Sequence, residues 1–346
     1  MKLNRRQFTG LGLAALAAPA SIIRPAHAQP KPGDELVVGI WGGAQEKIVK
    51  QYIEPQLVEK YGCKISYVLG GTTDRRARAY AERGRPSFDV LYLNIYESRQ
   101  AVADGVTQAP TAAVERFDQL YPLAQKGGYG VAFNPCTVVY DGTAAKTPVK
   151  SWKDMWNPEW KGRIAWPNGL GAEGISALMM TAKSFGYDIT EFDKVLEKVA
   201  ELKPFAGIQS SQAQLYDMFD QDVADLSVEF ASFTRKYAET RNPDCVIAEP
   251  EEGMAVTMNV ACITEGTKNQ KLAEEWINLH LSPEVMIAYA REVYYSPTVK
   301  DVEMPDDVKG KVITGGQVND LVDFDWDYIN AHRAEWQAKF DRVLAG

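Results

Sequence analysis

Residues 35–43 read Glu-Leu-Val-Val-Gly-Ile-Trp-Gly-Gly, an apolar run that stops at a glycine loop. Such a run is typical of a buried strand in a parallel sheet. Apolar residues then recur at helical spacing over 44–61, where Pro55 is expected to bend the helix and Gly62 to end it. A strand, a glycine loop and a helix in this order form the first part of a strand–helix–strand unit.

The same order continues further along the chain. Strands are predicted at 63–69 and 88–93, with a helix over about 73–83 between them. Later elements alternate less regularly and end in a helix over about 328–344. The pattern predicts an α/β fold with two lobes joined by extended crossover segments. Ligands of such sheets collect at the carboxyl ends of strands, which here include the loops 41–43, 70–73 and 94–96.

The first 28 residues predict an export signal. Arg5 and Arg6 precede an uncharged run over 9–23, and Ala-His-Ala at 26–28 forms a small-x-small cleavage site. The uncharged run is shorter than the roughly 20 residues that span a bilayer. The sequence therefore predicts a signal peptide at 1–28 and a periplasmic location, with the paired arginines favouring the twin-arginine (Tat) export route.

Charge narrows the range of partners. Cleavage after residue 28 would remove four basic residues and no acidic ones, which would shift the net charge from −8 to −12. Nucleic acids and anionic lipids are bound through clustered lysine and arginine, so an acidic surface argues against both as partners. The same charge would mildly favour cationic solutes, although solubility alone would account for it.

The cysteines give no metal or redox motif. None of the four belongs to a C-x-x-C pair. An oxidising compartment would permit up to two disulfides, and the sequence leaves open whether any forms. The residues concerned are Cys63, Cys136, Cys245 and Cys262.

Three further segments carry a family resemblance. Residues 147–162 read Thr-Pro-Val-Lys-Ser-Trp-Lys-Asp-Met-Trp-Asn-Pro-Glu-Trp-Lys-Gly, and 269–284 read Asn-Gln-Lys-Leu-Ala-Glu-Glu-Trp-Ile-Asn-Leu-His-Leu-Ser-Pro-Glu. A Tyr-Tyr-Ser-Pro turn follows at 294–297. Together with the loop at 41–43, these segments resemble bacterial periplasmic solute-binding proteins of ABC transporters, in the branch that contains the spermidine/putrescine-binding proteins.

The resemblance implies a type II periplasmic-binding-protein fold, with a ligand cleft between two lobes joined by two crossover strands. It implies lobe 1 at 29–135 plus about 255–300, and lobe 2 at 136–254 plus about 301–346. The expected function is hinge closure around a small amine-bearing solute, either polyamine-like or an ω-amino acid such as a γ-amino acid. The expected partner is an ABC permease in the inner membrane, and the protein is expected to be a monomer without a cofactor.

In lobe 1 the resemblance places an aromatic ligand contact directly after the first strand, at Trp41. An indole face binds an ammonium by about 0.5–2 kcal/mol. Gly43 belongs to the same loop, and Asn94 and Tyr96 follow the third strand and are candidate contacts. Ordinary packing at a strand end is the alternative for the two aromatic residues.

In lobe 2 the resemblance places ligand carboxylates after a strand at about 163–166. Glu173 is the candidate there, and Glu229 ends another apolar strand. A buried carboxylate needs a partner. That partner would be a ligand amine or a nearby lysine or arginine.

The sequence departs from the polyamine-binding pattern at 257–259. Polyamine binders carry Trp-x-Asp there, whereas this chain has Thr257 and Asn259. Because a buried dication needs nearby negative charge, the change favours a ligand with fewer positive charges, such as a zwitterion. Asn259 remains a candidate ligand contact.

A zwitterion would also need a partner for its carboxylate. Arg75, Arg76 and Arg78 begin a helix after a glycine loop, where anions are favoured. Their alternative role is that of solvated helix charges. Further candidates to complete the cleft are Tyr294 or Tyr295, together with Asp325.

Three other functions are weighed. Ferric-ion binding by the same fold is suggested by the paired tyrosines at 294–295, and a ligand-presenting sensor would share the fold. An enzyme is not expected, because the sequence contains no Gly-x-Ser-x-Gly, His-Glu-x-x-His or P-loop motif.

Overall fold

The computed structural model describes residues 29–345, so the predicted signal peptide lies outside the described part of the chain. Ten strands form two five-stranded sheets within these residues. The strands are β1 Glu35–Ile40, β2 Lys64–Leu69, β3 Val90–Asn94, β4 Tyr129–Phe133, β5 Cys136–Asp141, β6 Ile164–Pro167, β7 Gly207–Gln209, β8 Leu226–Phe230, β9 Cys245–Ile247 and β10 Met258–Ile263.

Helices cover the faces of both sheets. Short 3₁₀ turns add to them, including Trp152–Trp156, which is capped by the Ser151 hydroxyl. The α-helices are α1 Ala44–Tyr52, α2 Glu54–Tyr61, α3 Thr72–Ala81, α4 Ile95–Ala103, α5 Ala172–Phe185, α6 Phe192–Ala200, α7 Gln212–Asp220, α8 Ala231–Thr240, α9 Gln270–His280, α10 Pro283–Val293, α11 Gly316–Asn319 and α12 Trp326–Ala345.

The two sheets share one design. The first has the order β2-β1-β3-β10-β4, and the second has the order β7-β6-β8-β5-β9. In each sheet the first three strands are parallel and the fourth runs antiparallel to the third. We call the half built on the first sheet lobe 1 and the half built on the second lobe 2. This confirms the predicted two-lobed α/β fold.

Extended segments connect the lobes. Asn134 and Pro135 lie between β4 of lobe 1 and β5 of lobe 2, and residues 248–257 return the chain to β10. A third segment runs alongside, because the backbone of Val322 exchanges hydrogen bonds with Met254 and Val256. Helix α12 then packs against both α4 of lobe 1 and α6 of lobe 2. The C-terminal segment thus contacts both lobes.

Apolar and aromatic side chains fill the lobes. Five tryptophans are fully buried, at Trp152, Trp160, Trp166, Trp276 and Trp326. All four cysteines are buried free thiols, so no disulfide links them. None of the helices in 29–345 has the length and apolar character needed to cross a membrane.

Most local sequence signals correspond to the observed elements. The helix predicted over 44–61 divides at Ile53, two residues before Pro55, and Gly62 ends its second part at φ 63°. Strand β7 and helix α8 were not predicted. Strand β7 has only three residues, and α8 begins directly after β8 without a turn sequence to mark its start.

Candidate functional site

The carboxyl ends of the parallel strands from both sheets approach each other between the lobes. Tyr96 of lobe 1 follows β3, and Glu173 of lobe 2 lies in the first turn of α5. Burial, with contributions from Glu97 and Glu173, raises the pKa of Tyr96 to about 12. Arg333 of α12 lies 4.3 Å from the ring centre of Tyr96 and donates to the carbonyl of Leu170, three residues before Glu173, so Tyr96 and the start of α5 lie close together. This region is the candidate ligand cleft.

Lobe 2 contributes two buried acids. Glu229 ends the apolar run of β8 and is 0% exposed. Its Oε1 accepts the Phe230 N–H at 2.7 Å, whereas its buried Oε2 has no hydrogen-bond partner within residues 29–345. Glu173 Oε1 accepts from Gln212 Nε2 at 3.2 Å. We call the carboxylates of Glu173 and Glu229 the acid pair.

Burial sets the protonation of the acid pair. Desolvation, followed by repulsion from Glu173, raises the pKa of Glu229 to about 8. Burial also raises the pKa of Glu173. Among residues 29–345, no lysine, arginine or histidine forms an ion pair with either carboxylate. The pair therefore combines a high desolvation cost with no internal countercharge.

The buried arginine of lobe 1 makes its contacts within lobe 1. The guanidinium of Arg75 lies 4.9 Å from the ring centre of Trp41, and Arg75 is only 2% exposed. Its Nη2 donates to the Tyr92 carbonyl at 3.0 Å, and its Nη1 donates to the Gly70 carbonyl. Burial lowers the pKa of Arg75 to about 10. One face of Trp41 is thus covered by an arginine that donates to one loop carbonyl, at Gly70, and to one strand carbonyl, at Tyr92.

The other two arginines suggested as carboxylate partners differ in position. Arg78 pairs with Glu82 at 2.9 Å on the surface of α3. Arg76 lies over Tyr80 and lines a groove of about 470 Å³ together with Tyr96.

Amides at the end of β3 and the start of β10 are also engaged within lobe 1. Asn94 and Asn259 face each other in the sheet. Asn94 donates from its backbone and its side chain to Glu97 at 3.1 and 3.0 Å, which anchors the start of α4. Asn259 Nδ2 donates to Gln45 Oε1 at 3.2 Å. Gly43 precedes α1 at φ 73°, a conformation that favours glycine.

Arg333 is a site residue that the sequence reasoning missed. It lies on α12, where its guanidinium is 4.3 Å from the ring centre of Tyr96, and it donates to the carbonyl of Leu170 in lobe 2. Its Nη1 is buried without a partner, and burial lowers its pKa. Helix α12 contains two arginines and one lysine, and only the tertiary structure distinguishes Arg333 from the other two.

Two predicted site residues lie apart from the others. Tyr294 donates its hydroxyl to Glu239, and Lys311 lies 5.5 Å from its ring centre. The small cavity that it lines contains none of the other predicted ligand residues. Asp325 is exposed and accepts the Tyr328 N–H at 3.0 Å, so its carboxylate caps α12. The structure does not bring either residue to the acid pair.

Metal ligands do not cluster in the described chain. Within 29–345, no group of three or more histidine, cysteine, aspartate or glutamate side chains is arranged to hold a metal ion.

Two lobes joined by extended segments, with buried acids that form no ion pair within residues 29–345, are suited to holding a solute between the lobes. The sequence profile of the bacterial extracellular solute-binding proteins matches residues 89–332, which is well over half of the chain. The chain belongs to this family. A search of curated proteins gave no significant match.

Solved structures share the fold over nearly their whole length. An ABC transporter protein from Clostridium perfringens is 23% identical, with a TM-score of 0.80 over 89% of this chain and 99% of the other. The spermidine/putrescine-binding protein of Streptococcus pneumoniae is 18% identical, with a TM-score of 0.70 over 90% and 100%. A GABA receptor is 16% identical, with a TM-score of 0.75 over 90% and 98%.

Proposed function

We propose that the protein is the substrate-binding component of an ABC importer and captures a small amine-bearing solute. The family membership supports capture of a solute outside the cytoplasm. The similar structures include proteins named for ABC transport, for spermidine and putrescine, and for GABA. The proposal includes export by the twin-arginine signal at 1–28, release into the periplasm as a monomer, and delivery to an inner-membrane permease.

The acid pair is the observation that carries the ligand proposal. A buried carboxylate without a countercharge costs several kcal/mol, and a bound ammonium offsets that cost through charge-assisted hydrogen bonds. Glu229 Oε2 is buried and has no hydrogen-bond partner within residues 29–345, and the Glu173 carboxylate is near enough to raise the pKa of Glu229. An ammonium is thus the ligand group that best complements this part of lobe 2.

Aromatic side chains of lobe 1 would complete the ammonium site. The half-buried ring of Trp41 carries Arg75 on one face, which leaves the opposite face for a ligand. Tyr96 is within electrostatic reach of Glu173. Gly43 would allow close approach of the loop, and Asn94 and Asn259 would contribute mainly by shaping the lobe 1 surface.

Hinge closure follows from contacts with both lobes. A ligand that touches Trp41 or Tyr96 on one side and Glu173 on the other binds the closed arrangement more tightly than the open one. The crossover at Asn134 is a suitable hinge, because it is held by Thr257 and by the Ser232 N–H rather than by regular sheet pairing. The ligand would thereby convert binding energy into a shape that a permease can recognise.

The proposal is tested by a thermal-shift screen of ω-amino acids, diamines and polyamines, followed by calorimetry on the best probe. The wild-type protein should bind at least one amine-bearing probe with micromolar affinity, which corresponds to about −8 kcal/mol. Glu229→Gln should weaken that binding at least tenfold, because the neutral amide cannot neutralise an ammonium.

Glu249→Gln is the matched control, since Glu249 is an exposed acid that lines a cavity away from the acid pair. It should change the affinity less than twofold. The absence of binding to every amine-bearing probe would refute the proposed ligand class.

A further inference from the structure

The residues proposed for the cleft include acids and arginines that form no ion pair with each other in the described part of the chain. Glu173 and Glu229 on lobe 2 form no ion pair within residues 29–345, and neither do Arg75 and Arg333. Each of Glu229, Arg75 and Arg333 also has a buried side-chain atom without a hydrogen-bond partner. If the ligand were only cationic, it would complement the acids and repel the arginines. A ligand with an ammonium and an anionic group would complement both.

The two arginines differ in how many of their terminal nitrogens have a hydrogen-bond partner. Both terminal nitrogens of Arg75 donate to backbone carbonyls, so its role is to tie the loop at Gly70 to strand β3 beneath Trp41. Arg333 donates one nitrogen to Leu170, and its other terminal nitrogen, Nη1, has no partner. Arg333 is therefore the better candidate to receive an anion.

Charged residues of both signs lie near Arg333. Glu97 attracts Arg333 and partly offsets the lowering of its pKa by burial, whereas Arg76 lowers that pKa further. Asp104 and Asp327 line the same groove as Arg333. The feature that favours an anion is therefore the Nη1 of Arg333, which is buried and has no hydrogen-bond partner within residues 29–345.

The position of Arg333 relative to the acid pair also bears on the ligand. Arg333 lies over one face of Tyr96, and Glu173 is close enough to raise the pKa of the same tyrosine. Arg333 also donates to the carbonyl of Leu170, three residues before Glu173, so the guanidinium lies in the same part of the cleft as the acid pair, an arrangement that suits a short zwitterion. Arg333 also contacts both lobes, so lobe separation would free its guanidinium from one partner and closure would return it.

From these contacts we infer that Arg333 of α12 recognises the anionic end of a short ω-amino acid whose ammonium binds the acid pair. This inference rests on the proposed function and narrows its ligand class from amines in general to zwitterions. It assigns specificity to the C-terminal helix, which contacts both lobes.

The test compares ω-amino acids of three to six carbons with diamines of the same chain length by calorimetry. The wild-type protein should bind the best amino acid at least tenfold more tightly than the matching diamine. Arg333→Gln should weaken the amino acid at least tenfold and change the diamine less than threefold. Arg333→Lys, which keeps the charge, should recover part of the loss.

Gln337→Ala is the matched control. Gln337 lies one turn further along α12 and its Oε1 accepts the Leu170 N–H at 3.0 Å, so it contacts the same loop without a charge. It should change both affinities less than threefold. An equal loss in Gln337→Ala and Arg333→Gln would overturn the inference, because it would trace the effect to helix placement.

Other outcomes are equally decisive. A wild-type preference for diamines, or an Arg333→Gln loss that is equal for both ligand classes, would overturn this inference and leave the amine proposal standing. Failure of the wild-type protein to bind either class would refute the proposed function itself.

Discussion

The two faces of the cleft differ in how their polar groups are satisfied. On lobe 1, Arg75 holds two carbonyls, Asn94 holds Glu97, and Asn259 holds Gln45. On lobe 2, Glu229 keeps a buried oxygen without a partner, and the acid pair has no countercharge. Apart from Arg75 Nε, these polar groups of lobe 1 have partners within lobe 1, whereas lobe 2 holds two buried acids without a countercharge among residues 29–345.

Because of this difference, we expect lobe 1 to provide a surface of fixed shape and lobe 2 to attract the ligand. A face whose hydrogen bonds are internally satisfied is rigid and presents rings such as Trp41 at fixed positions. A face with unpaired charge is costly without a ligand and gains most when a complementary group arrives. Substitutions on lobe 1 should therefore act mainly on stability, and substitutions on the acid pair should act mainly on binding.

The largest effect is expected from removing both charges of lobe 2. Glu173→Gln combined with Glu229→Gln should weaken binding of the best amine probe at least a hundredfold, because no carboxylate remains to meet the ammonium. Calorimetry measures the affinity, and thermal unfolding at pH 8 reports on the fold.

The melting temperature of the double variant should equal or exceed that of the wild-type protein. Burial raises the pKa of both acids, so their ionised forms destabilise the folded chain, and this cost grows as pH rises from about 4.5 to about 8. A large drop in melting temperature would show that the acid pair stabilises the fold, and would contradict the claim that its substitutions act mainly on binding.

The next effect concerns Arg75 of lobe 1. Arg75→Met should lower the free energy of unfolding by about 2–3 kcal/mol, because the carbonyls of Gly70 and Tyr92 lose a charged donor. Chemical denaturation measures the change. Arg78→Met on the same helix is the control and should cost less than about 1 kcal/mol, since Arg78 is exposed and makes a single i,i+4 pair. Equal costs for both variants would contradict the assigned role of Arg75.

The sequence predicts structural features that depend on neighbouring residues, and it does not predict contacts between residues far apart in the chain. Strand β1, the division near Pro55 and the turn at Gly62 follow from local patterns, and the structure agrees with them. The sequence also indicated Glu229, because an acid that ends an apolar strand needs a partner. Local signals of this kind act over a few residues.

The pairing partners could not be predicted in the same way. Arg333 lies more than 230 residues from Tyr96 in the chain, and no periodicity connects them. Tyr294 looked like a cleft residue because of the resemblance, but a surface contact with Glu239 and Lys311 holds it elsewhere. Side chains that meet through tertiary packing leave no local pattern in the sequence.

The protonation state of Glu229 gives a further test of the difference between the two lobes. Because the pKa of Glu229 is about 8 in the free protein, binding of an ammonium should release a proton below that pH. Affinity should rise up to about tenfold per pH unit between pH 6 and 8 and then level off until the ligand amine itself titrates near pH 10. Calorimetry in buffers of different ionisation enthalpy counts the protons.

The Glu229→Gln variant should lose most of this pH dependence. An affinity of the wild-type protein that is constant from pH 6 to 8 would show that Glu229 is already ionised or does not face the ligand. Lobe 1 substitutions should leave the pH profile unchanged in shape.

A smaller effect is expected at Trp41. Arg75 covers one face of the indole, so only the other face is open to a ligand ammonium. Trp41→Leu should weaken binding about five- to tenfold, in line with the roughly 1 kcal/mol of a cation–π contact. Trp41→Phe, which keeps a ring, should recover part of the loss. Unchanged affinity in Trp41→Leu would remove Trp41 from the ligand site.

The smallest effect on binding is expected at Asn94, whose side chain is engaged by Glu97 at the start of α4. Asn94→Ala should lower the free energy of unfolding by about 1 kcal/mol through loss of the cap and change the affinity less than threefold. Asn94→Ser should restore most of the stability, because serine also caps helices well. A tenfold loss of affinity in both variants, measured by calorimetry, would mean that the amide contacts the ligand. Lobe 1 would then also present polar groups for recognition, and the contrast between the two faces would fail.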